Sequence, residues 1–259
     1  MGRPVALFVT LTFLWAWAFW GYWVVFMPPG GLVLSPGFLA SAIIGGFAPS
    51  FAALAVLALT EGGAAARRLL ARLRQWPGTA WSLLALLLAP GLAAVGWVLE
   101  GTMLTFIFPD VRSLLPVLLA WPLLAALGEE LGWRGFLYPR LVDRAGPLGA
   151  AVAVGLLWGL WHLPADYVGL KATGGWFWLA FLINGPLVLT GHALVMAWLW
   201  SRTGGNLVAM VLYHIGITAA AMLAPSPGPE PLAQIAGAAI AAGVVWAAAG
   251  LLWGLSRPR

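Results

Sequence analysis

The chain has 259 residues, of which 62% are hydrophobic and only 8% are charged. A soluble domain carries roughly 25% charged residues, so this composition excludes a water-soluble surface and predicts one integral membrane domain over residues 1–259. The net charge of +5 comes from scattered basic residues, which excludes the dense basic patch of a nucleic-acid interface, and the lack of cysteine excludes disulfides and thiolate metal sites.

Apolar segments that could span a bilayer occur eight times, since a hydrocarbon core about 30 Å thick needs roughly 20 helical residues. We predict them at Pro4–Phe26, Phe38–Leu59, Ala80–Leu99, Leu114–Tyr138, Pro147–His162, Trp176–Trp200, Asn206–Leu223 and Leu232–Leu255. The breaks between them are rich in proline and glycine, as at 28–31, 76–78, 204–205 and 225–229. The predicted fold class is therefore all-α, a polytopic transmembrane bundle of about eight helices.

The distribution of positive charge predicts the orientation, because cytoplasmic loops carry an excess of Lys and Arg. With the N-terminus inside, the outer loops hold only Arg112 and Lys171. The inner loops then hold Arg3, Arg67, Arg68, Arg72, Arg74, Arg140, Arg144, Arg202, Arg257 and Arg259. We expect both termini in the cytoplasm and a bacterial plasma membrane as the location. The basic stretch Ala65–Trp76 is either an amphipathic helix on the inner surface or an ordinary charged loop.

Ionisable residues within spanning segments are costly and by default mark a functional site. Six of them fall in or at the end of the fourth to seventh segments: Glu129, Glu130, Arg134, His162, His192 and His214. They have few other polar groups to satisfy them, so a low dielectric should drive them to cluster.

The two adjacent glutamates are predicted to play different parts. Glu130 and Arg134 are i and i+4 on a helix, so they share a face and can pair. Glu129 is rotated about 100° away, has no cation at helical spacing and is a plausible general base. The alternative is a structural Glu–Arg clamp, with Glu129 facing a water-filled crevice.

Each histidine has both a functional and a structural interpretation. His162 follows Trp158 by four residues and precedes Leu163-Pro164, where the helix must end or bend, so it is either at a cavity edge or interfacial. His214 and Thr218 share a helix face and form either part of a site or an interhelical hydrogen bond. His192 has no ionisable partner at helical spacing, and we interpret it as packed or hydrogen-bonded.

The motifs Glu129-Glu130-x-x-Trp133-Arg134-Gly135, Trp158-x-x-x-His162 and His214-x-x-x-Thr218 resemble those of the CPBP family. That family comprises type II CAAX prenyl endopeptidases and bacteriocin-processing or self-immunity proteins. The short loop Ser201–Leu207 also resembles the family's loop before its last histidine, although the family usually has Asn in place of Thr218 and often Phe in place of Trp158. The resemblance covers a catalytic region of about residues 114–220.

The resemblance implies an intramembrane endopeptidase without a covalent intermediate. Glu129 and His162 would activate a water, His214 with Thr218 would donate to the oxyanion, and Glu130, Arg134 and Trp158 would support them. The partners implied are membrane lipid and a peptide or protein substrate, either free or membrane-anchored. No cofactor is favoured. The alternatives are a zinc enzyme using Glu129, His162 and His214, a transporter that relays protons, and a non-catalytic scaffold.

The predicted helix ends create a conflict of depth. If the fourth helix ends near Tyr138, Glu129 lies in the inner half of the membrane. His162 is then near the outer end of its own helix, roughly 22 Å from the inner side at 1.5 Å per residue. Catalytic partners cannot lie at such different depths, so one of the helix boundaries must differ.

Overall fold

The structure is a computed structural model that describes residues 2–26, 36–102, 111–225 and 230–256, and the backbone alone for residues 111–119. Within these ranges the regular structure is entirely helical, which confirms the predicted fold class. The α-helices are α1 (Arg3–Phe26), α2 (Pro36–Gly46), α3 (Ala48–Thr60), α4 (Gly63–Ala71), α5 (Thr79–Leu99), α6 (Val111–Glu130), α7 (Tyr138–Trp161), α8 (Leu163–Leu170), α9 (Phe177–Leu182), α10 (Val188–Arg202), α11 (Leu207–Leu223) and α12 (Pro231–Leu255). The predicted breaks at 28–31 and 226–229, with Arg257 and Arg259, lie outside the described residues.

The helices connect through short segments of tighter or wider winding. Arg72–Arg74 and Lys171–Trp176 are 3₁₀-helical, whereas Leu131–Leu137 and Ile183–Leu187 are π-helical. π-Helical insertions occur frequently at functional sites. The first of them follows Glu130 directly and contains Arg134.

Five helical runs among the described residues are long and apolar enough to cross a membrane. They are Arg3–Phe26, Thr79–Leu99, Ala120–Trp161, Leu163–Arg202 and Pro231–Leu255. The pair α2 and α3 makes a sixth if its 44° bend belongs to one span. α11 carries His214 and is apolar but shorter, at 17 residues.

The fourth predicted helix does not end near Tyr138, and this removes the conflict of depth. The π-helical segment leads directly into α7, which continues to a non-helical residue at Gly146 (φ 68°). The chain reverses direction at Gly146. The evidence is a hydrogen bond from Trp158, which follows Gly146, to Glu129, which precedes it. Glu129 and His162 lie 17 and 16 residues from Gly146, so each is at a similar depth along its helix.

Glycines next to the site residues let the helices approach closely. A Cβ at Gly132 would lie 2.4 Å from the carbonyl oxygen of Pro49 at the start of α3. A Cβ at Gly159 would lie 2.4 Å from the Cα of Pro186, and one at Gly216 would lie 2.5 Å from the carbonyl oxygen of Leu86. Small residues allow such backbone contact between membrane helices. The glutamates, Trp158 and His214 are therefore held by tight backbone packing.

The basic stretch after α3 is helical and attached to the bundle. Arg72 donates a hydrogen bond to the carbonyl oxygen of Gly205 at 2.6 Å and lies over the Trp200 ring at 5.0 Å. Asn206 donates to the carbonyl oxygen of Gln75 and caps α11 through its contact with Ala209. The loop before α11 is thus tied to the basic segment, while its location on a membrane surface stays a prediction.

Close packing at Gly159 gives a test of this arrangement. We expect Gly159→Ala to lower the free energy of unfolding by roughly 1–3 kcal/mol, because the added methyl group meets backbone atoms that cannot rotate away. Thermal unfolding of the purified protein in detergent measures this. Gly243→Ala is the matched control, since nothing lies within 4 Å of its Cβ position, and it should be neutral or slightly stabilising. Equal stability of the two variants would contradict the packing described here.

Candidate active site

Glu130 is the centre of a buried network that joins α6 to α11. Its Oε1 accepts hydrogen bonds from Arg134 Nη1 at 2.8 Å and from His214 Nδ1 at 2.7 Å. Glu130 is fully buried and Arg134 is 2% exposed. The predicted i, i+4 pair is therefore formed, and a residue 84 positions away in sequence shares its acceptor.

Glu129 faces a different set of partners from its neighbour. Its Oε2 accepts a hydrogen bond of 2.6 Å from Trp158 Nε1, and its Oε1 lies 3.9 Å from His214 Nε2. That separation is too long for a direct hydrogen bond, but it is short enough for one oxygen atom to contact both groups. Glu129 is 5% exposed, so its carboxylate is nearly enclosed.

His214 lies between the two carboxylates, with one ring nitrogen directed at each. Because the ionised Glu130 carboxylate can only accept, Nδ1 carries a proton and donates it to Oε1. Nε2 is then the ring atom that faces Glu129. The buried α11 backbone around Gly216 fixes the height of this imidazole.

Trp158 connects the members of the cluster. It donates to Glu129, and the Arg134 guanidinium lies over its ring at 4.2 Å from the centroid. The centroid of the His214 ring lies 5.3 Å away. A desolvated cation–π contact is worth about 2 kcal/mol, so Trp158 also helps to hold the buried Arg134.

His162 is at the junction of α7 and α8, one helical turn beyond Trp158. Its Nδ1 is 2.9 Å from the carbonyl oxygen of Trp158, which can only accept, so Nδ1 donates and Nε2 is left as an acceptor. The ring packs edge-on against Trp161 at 4.8 Å. Within the described residues, no hydrogen bond joins His162 to Glu129 or His214, and Trp158 is the residue that links them.

Thr218 and His192 do not join the cluster directly. Thr218 is half-buried one turn after His214 and makes no hydrogen bond to another described residue. His192 has its Nδ1 at 2.9 Å from the hydroxyl of Tyr213, which agrees with its predicted hydrogen-bonded role. The structure therefore brings together Glu129, Glu130, Arg134, Trp158 and His214, with His162 adjacent.

A cavity of about 490 Å³ lies beside this cluster. Two of its lining residues lie about one helical turn from members of the cluster. His162 follows Trp158 by four residues, and Ile217 follows His214 by three. The rest of its wall comes mainly from apolar positions of α5, α11 and α12. Its polar lining consists of His162, His192, Asp166, Asn184, Glu100 and Gln234.

Several of these lining residues, and the hydrogen-bond partner of His192, were missed by reasoning from the sequence. Asp166 follows His162 by four residues and so shares its side of the chain, which is a signal that spacing could have supplied. Asn184 belongs to the second π-helical segment, and Tyr213 is the partner of His192 from another helix. Nothing in local spacing indicates either of them.

The residues of the alternative zinc set do not fit a metal site. Catalytic zinc needs three protein ligands at about 2.0–2.2 Å from one point. In the part of the chain that the structure describes, no group of three His, Asp or Glu side chains is placed to hold an ion. Glu129, His162 and His214 are therefore not placed as a zinc site.

Comparison with known proteins identifies the region that contains this cluster. Residues 111–220 match a family model described as type II CAAX prenyl endopeptidase Rce1-like. A curated protein of Methanococcus maripaludis named CAAX prenyl protease 2 is 27% identical over 98 residues, which cover 36% of this chain and 35% of the relative. The matched part thus spans about a third of that relative. The family model covers less than half of the chain, and this region, which holds the glutamate pair and the two motif histidines, is similar to the type II CAAX prenyl endopeptidases.

Proposed function

We propose that this protein is an intramembrane endopeptidase that hydrolyses peptide bonds with a water activated by Glu129 and His162. The observation that carries the proposal is the pair Glu129 and His214, held 3.9 Å apart in a buried cluster next to a cavity lined by His162. The family match and the name of the methanogen relative support the same class of reaction. The substrate is a peptide or a protein segment that enters the cavity from the membrane.

Glu129 acts as the general base. Its Oε1 takes a proton from a water molecule, and the resulting hydroxide adds to the carbonyl carbon of the scissile peptide bond. The C–N bond then breaks, and Glu129 returns the proton to the leaving nitrogen. Trp158 keeps the other oxygen, Oε2, engaged, so a single carboxylate oxygen faces the water. General bases of this kind contribute about 10²–10⁴-fold to rate.

His162 contributes an acceptor from the cavity side. The carbonyl oxygen of Trp158 fixes its Nδ1 as the protonated nitrogen, so Nε2 offers a lone pair to the same water. The position of His162 in the cavity wall lets it meet the substrate and the water together.

His214 donates to the oxygen that becomes negatively charged during attack. In the proposed step Nδ1–H of the ring donates to Glu130 and Nε2–H donates to the oxyanion. Thr218, one turn further along α11, is the proposed second donor. One such donor is worth about 2.7–4 kcal/mol in the transition state. Glu130 and Arg134 orient the ring without touching the substrate.

Substitution of the base tests the proposal directly. We expect Glu129→Gln and His162→Ala each to reduce cleavage of a peptide library at least 100-fold, because each loses a group that activates the water. The library should contain both unmodified and prenylated peptides, with products identified by mass spectrometry. Exposed Glu230→Gln is the matched control and should cleave like the unmodified protein. Full activity in both site variants, or no cleavage by any form, would contradict the proposal and favour a transporter or scaffold.

The two glutamates should differ in their effect on stability. Glu130→Ala leaves Arg134 buried without its carboxylate, and breaking a buried ion pair costs about 3–5 kcal/mol. Glu129→Ala removes the Trp158 hydrogen bond and the longer contact with His214, but it leaves Arg134 and His214 paired with Glu130, so it should cost about 1–3 kcal/mol. Unfolding of both variants in the same detergent measures the difference. A larger loss in Glu129→Ala would contradict the division of roles.

Chelation tests the prediction that no metal is required. We expect cleavage to persist after prolonged treatment with EDTA or 1,10-phenanthroline, because the described histidines and carboxylates do not converge on a single ion. Metal analysis of the purified protein provides an independent reading. Stoichiometric zinc, with activity that chelators remove and added zinc restores, would contradict the prediction.

A further inference from the structure

His192 is an ionisable residue of the cavity that the mechanism above does not use. It lies on α10, is half-buried, and lines the same cavity as His162. Its Nδ1 is 2.9 Å from the Tyr213 hydroxyl, and the two rings meet edge to face with their centroids 5.9 Å apart. The residue is therefore held in place and directed at the space that a substrate would occupy.

The direction of the Tyr213 hydrogen bond determines the tautomer of His192. Tyr213 is fully buried, and among the described residues its hydroxyl has a hydrogen-bond partner only in His192. If Nδ1 carried the proton, the phenol proton would be buried without an acceptor, which is costly. Tyr213 therefore donates to Nδ1, and the neutral ring of His192 carries its proton on Nε2.

The Nε2–H group of His192 is free to bind a ligand. Nε2 makes no hydrogen bond to another described residue. It is also not one of the fully buried polar atoms without a partner, so part of its surface is exposed. It is thus accessible, and the space next to the ring is the cavity. The Nε2–H donor can therefore bind a hydrogen-bond acceptor of a ligand that enters the cavity.

His162 and His192 present opposite chemistry on one wall. The carbonyl oxygen of Trp158 leaves His162 with an acceptor at Nε2, whereas the hydroxyl of Tyr213 leaves His192 with a donor at Nε2. Thr218 is not part of this wall. An extended peptide offers carbonyl oxygens at regular intervals, and a donor fixed by a buried tyrosine can hold one of them.

We propose that His192 is a substrate-binding residue whose Nε2–H donates to a backbone carbonyl of the peptide, with Tyr213 as its positioning residue. The proposal rests on the proposed function, because it takes the ligand of the cavity to be a peptide. It assigns to this chain a carbonyl-binding group outside the glutamate and histidine motifs.

Nuclear magnetic resonance of the histidine side chains tests it, since the chain has only three histidines. The protein is labelled with ¹⁵N-histidine in the inactive Glu129→Gln form, so that no probe is consumed. The probe is acetyl-Leu-Leu-Leu-amide, added to the protein in detergent micelles. His192→Gln assigns the resonances, and because Gln keeps an N–H donor it should retain part of the probe affinity.

We expect His192 to be protonated at Nε2 and its Nε2 resonances to shift when the probe binds. Tyr213→Phe should remove the fixed tautomer and weaken probe binding roughly five- to tenfold, the effect of one hydrogen bond. Tyr22→Phe, an exposed tyrosine on α1, is the matched control and should change neither.

Protonation of His192 at Nδ1, or no response of His192 to the probe, would overturn the proposal. None of these readings depends on turnover. A protein that binds the probe through His192 but cleaves no peptide in its unmodified form would contradict the proposed function alone.

Discussion

One carboxylate oxygen, Glu130 Oε1, accepts hydrogen bonds from both Arg134 and His214, and the geometry of the site follows from this shared acceptor. An isolated charge is costly in a poorly solvated interior, so each of the three groups depends on the other two. Arg134 lies within the π-helical segment after α6, while His214 belongs to α11. The contact therefore fixes two parts of the chain in register and leaves the second nitrogen of His214 directed at Glu129.

Glu129 and Glu130 are chemically identical neighbours, but their different contacts give them different roles. Glu130 has a cation and a histidine, whereas Glu129 has an indole N–H and a histidine nitrogen beyond hydrogen-bond distance. One oxygen of Glu130 accepts from two donors and so anchors Arg134 and His214, whereas the Glu129 oxygen that faces His214 accepts no hydrogen bond from a described residue and can take a proton. Trp158 joins the two environments, because its indole donates to Glu129 and its ring lies against Arg134.

Hydropathy predicted the all-α fold class, because a membrane protein must satisfy its backbone polar groups within helices or barrels. The pairing of Glu130 with Arg134 followed from i, i+4 spacing, which the π-helical segment preserves. The predicted end of the fourth helix near Tyr138 was wrong. The apolar content of the sequence falls there, but the helix continues to Gly146. That error produced the apparent difference in depth between Glu129 and His162.

Contacts between distant helices were beyond what spacing could predict. The Glu130–His214 bond joins residues 84 positions apart, and the His192–Tyr213 bond joins residues 21 positions apart on two helices. His192 was interpreted from its own helix, where it has no ionisable partner at helical spacing, so its place in the cavity wall was missed. Which residues line the same cavity depends on how the helices pack, and a single sequence contains little information about that packing.

The dependence of the site on the shared oxygen is measured most directly by a double-mutant cycle between Glu130 and His214. Unfolding free energies are determined for Glu130→Gln, His214→Asn, the double variant and the unmodified protein under one set of conditions. We predict a coupling of about 1.5–3 kcal/mol, as for residues within one buried network. Effects that add within about 0.5 kcal/mol would show that the two residues act independently, and would contradict this account of the site.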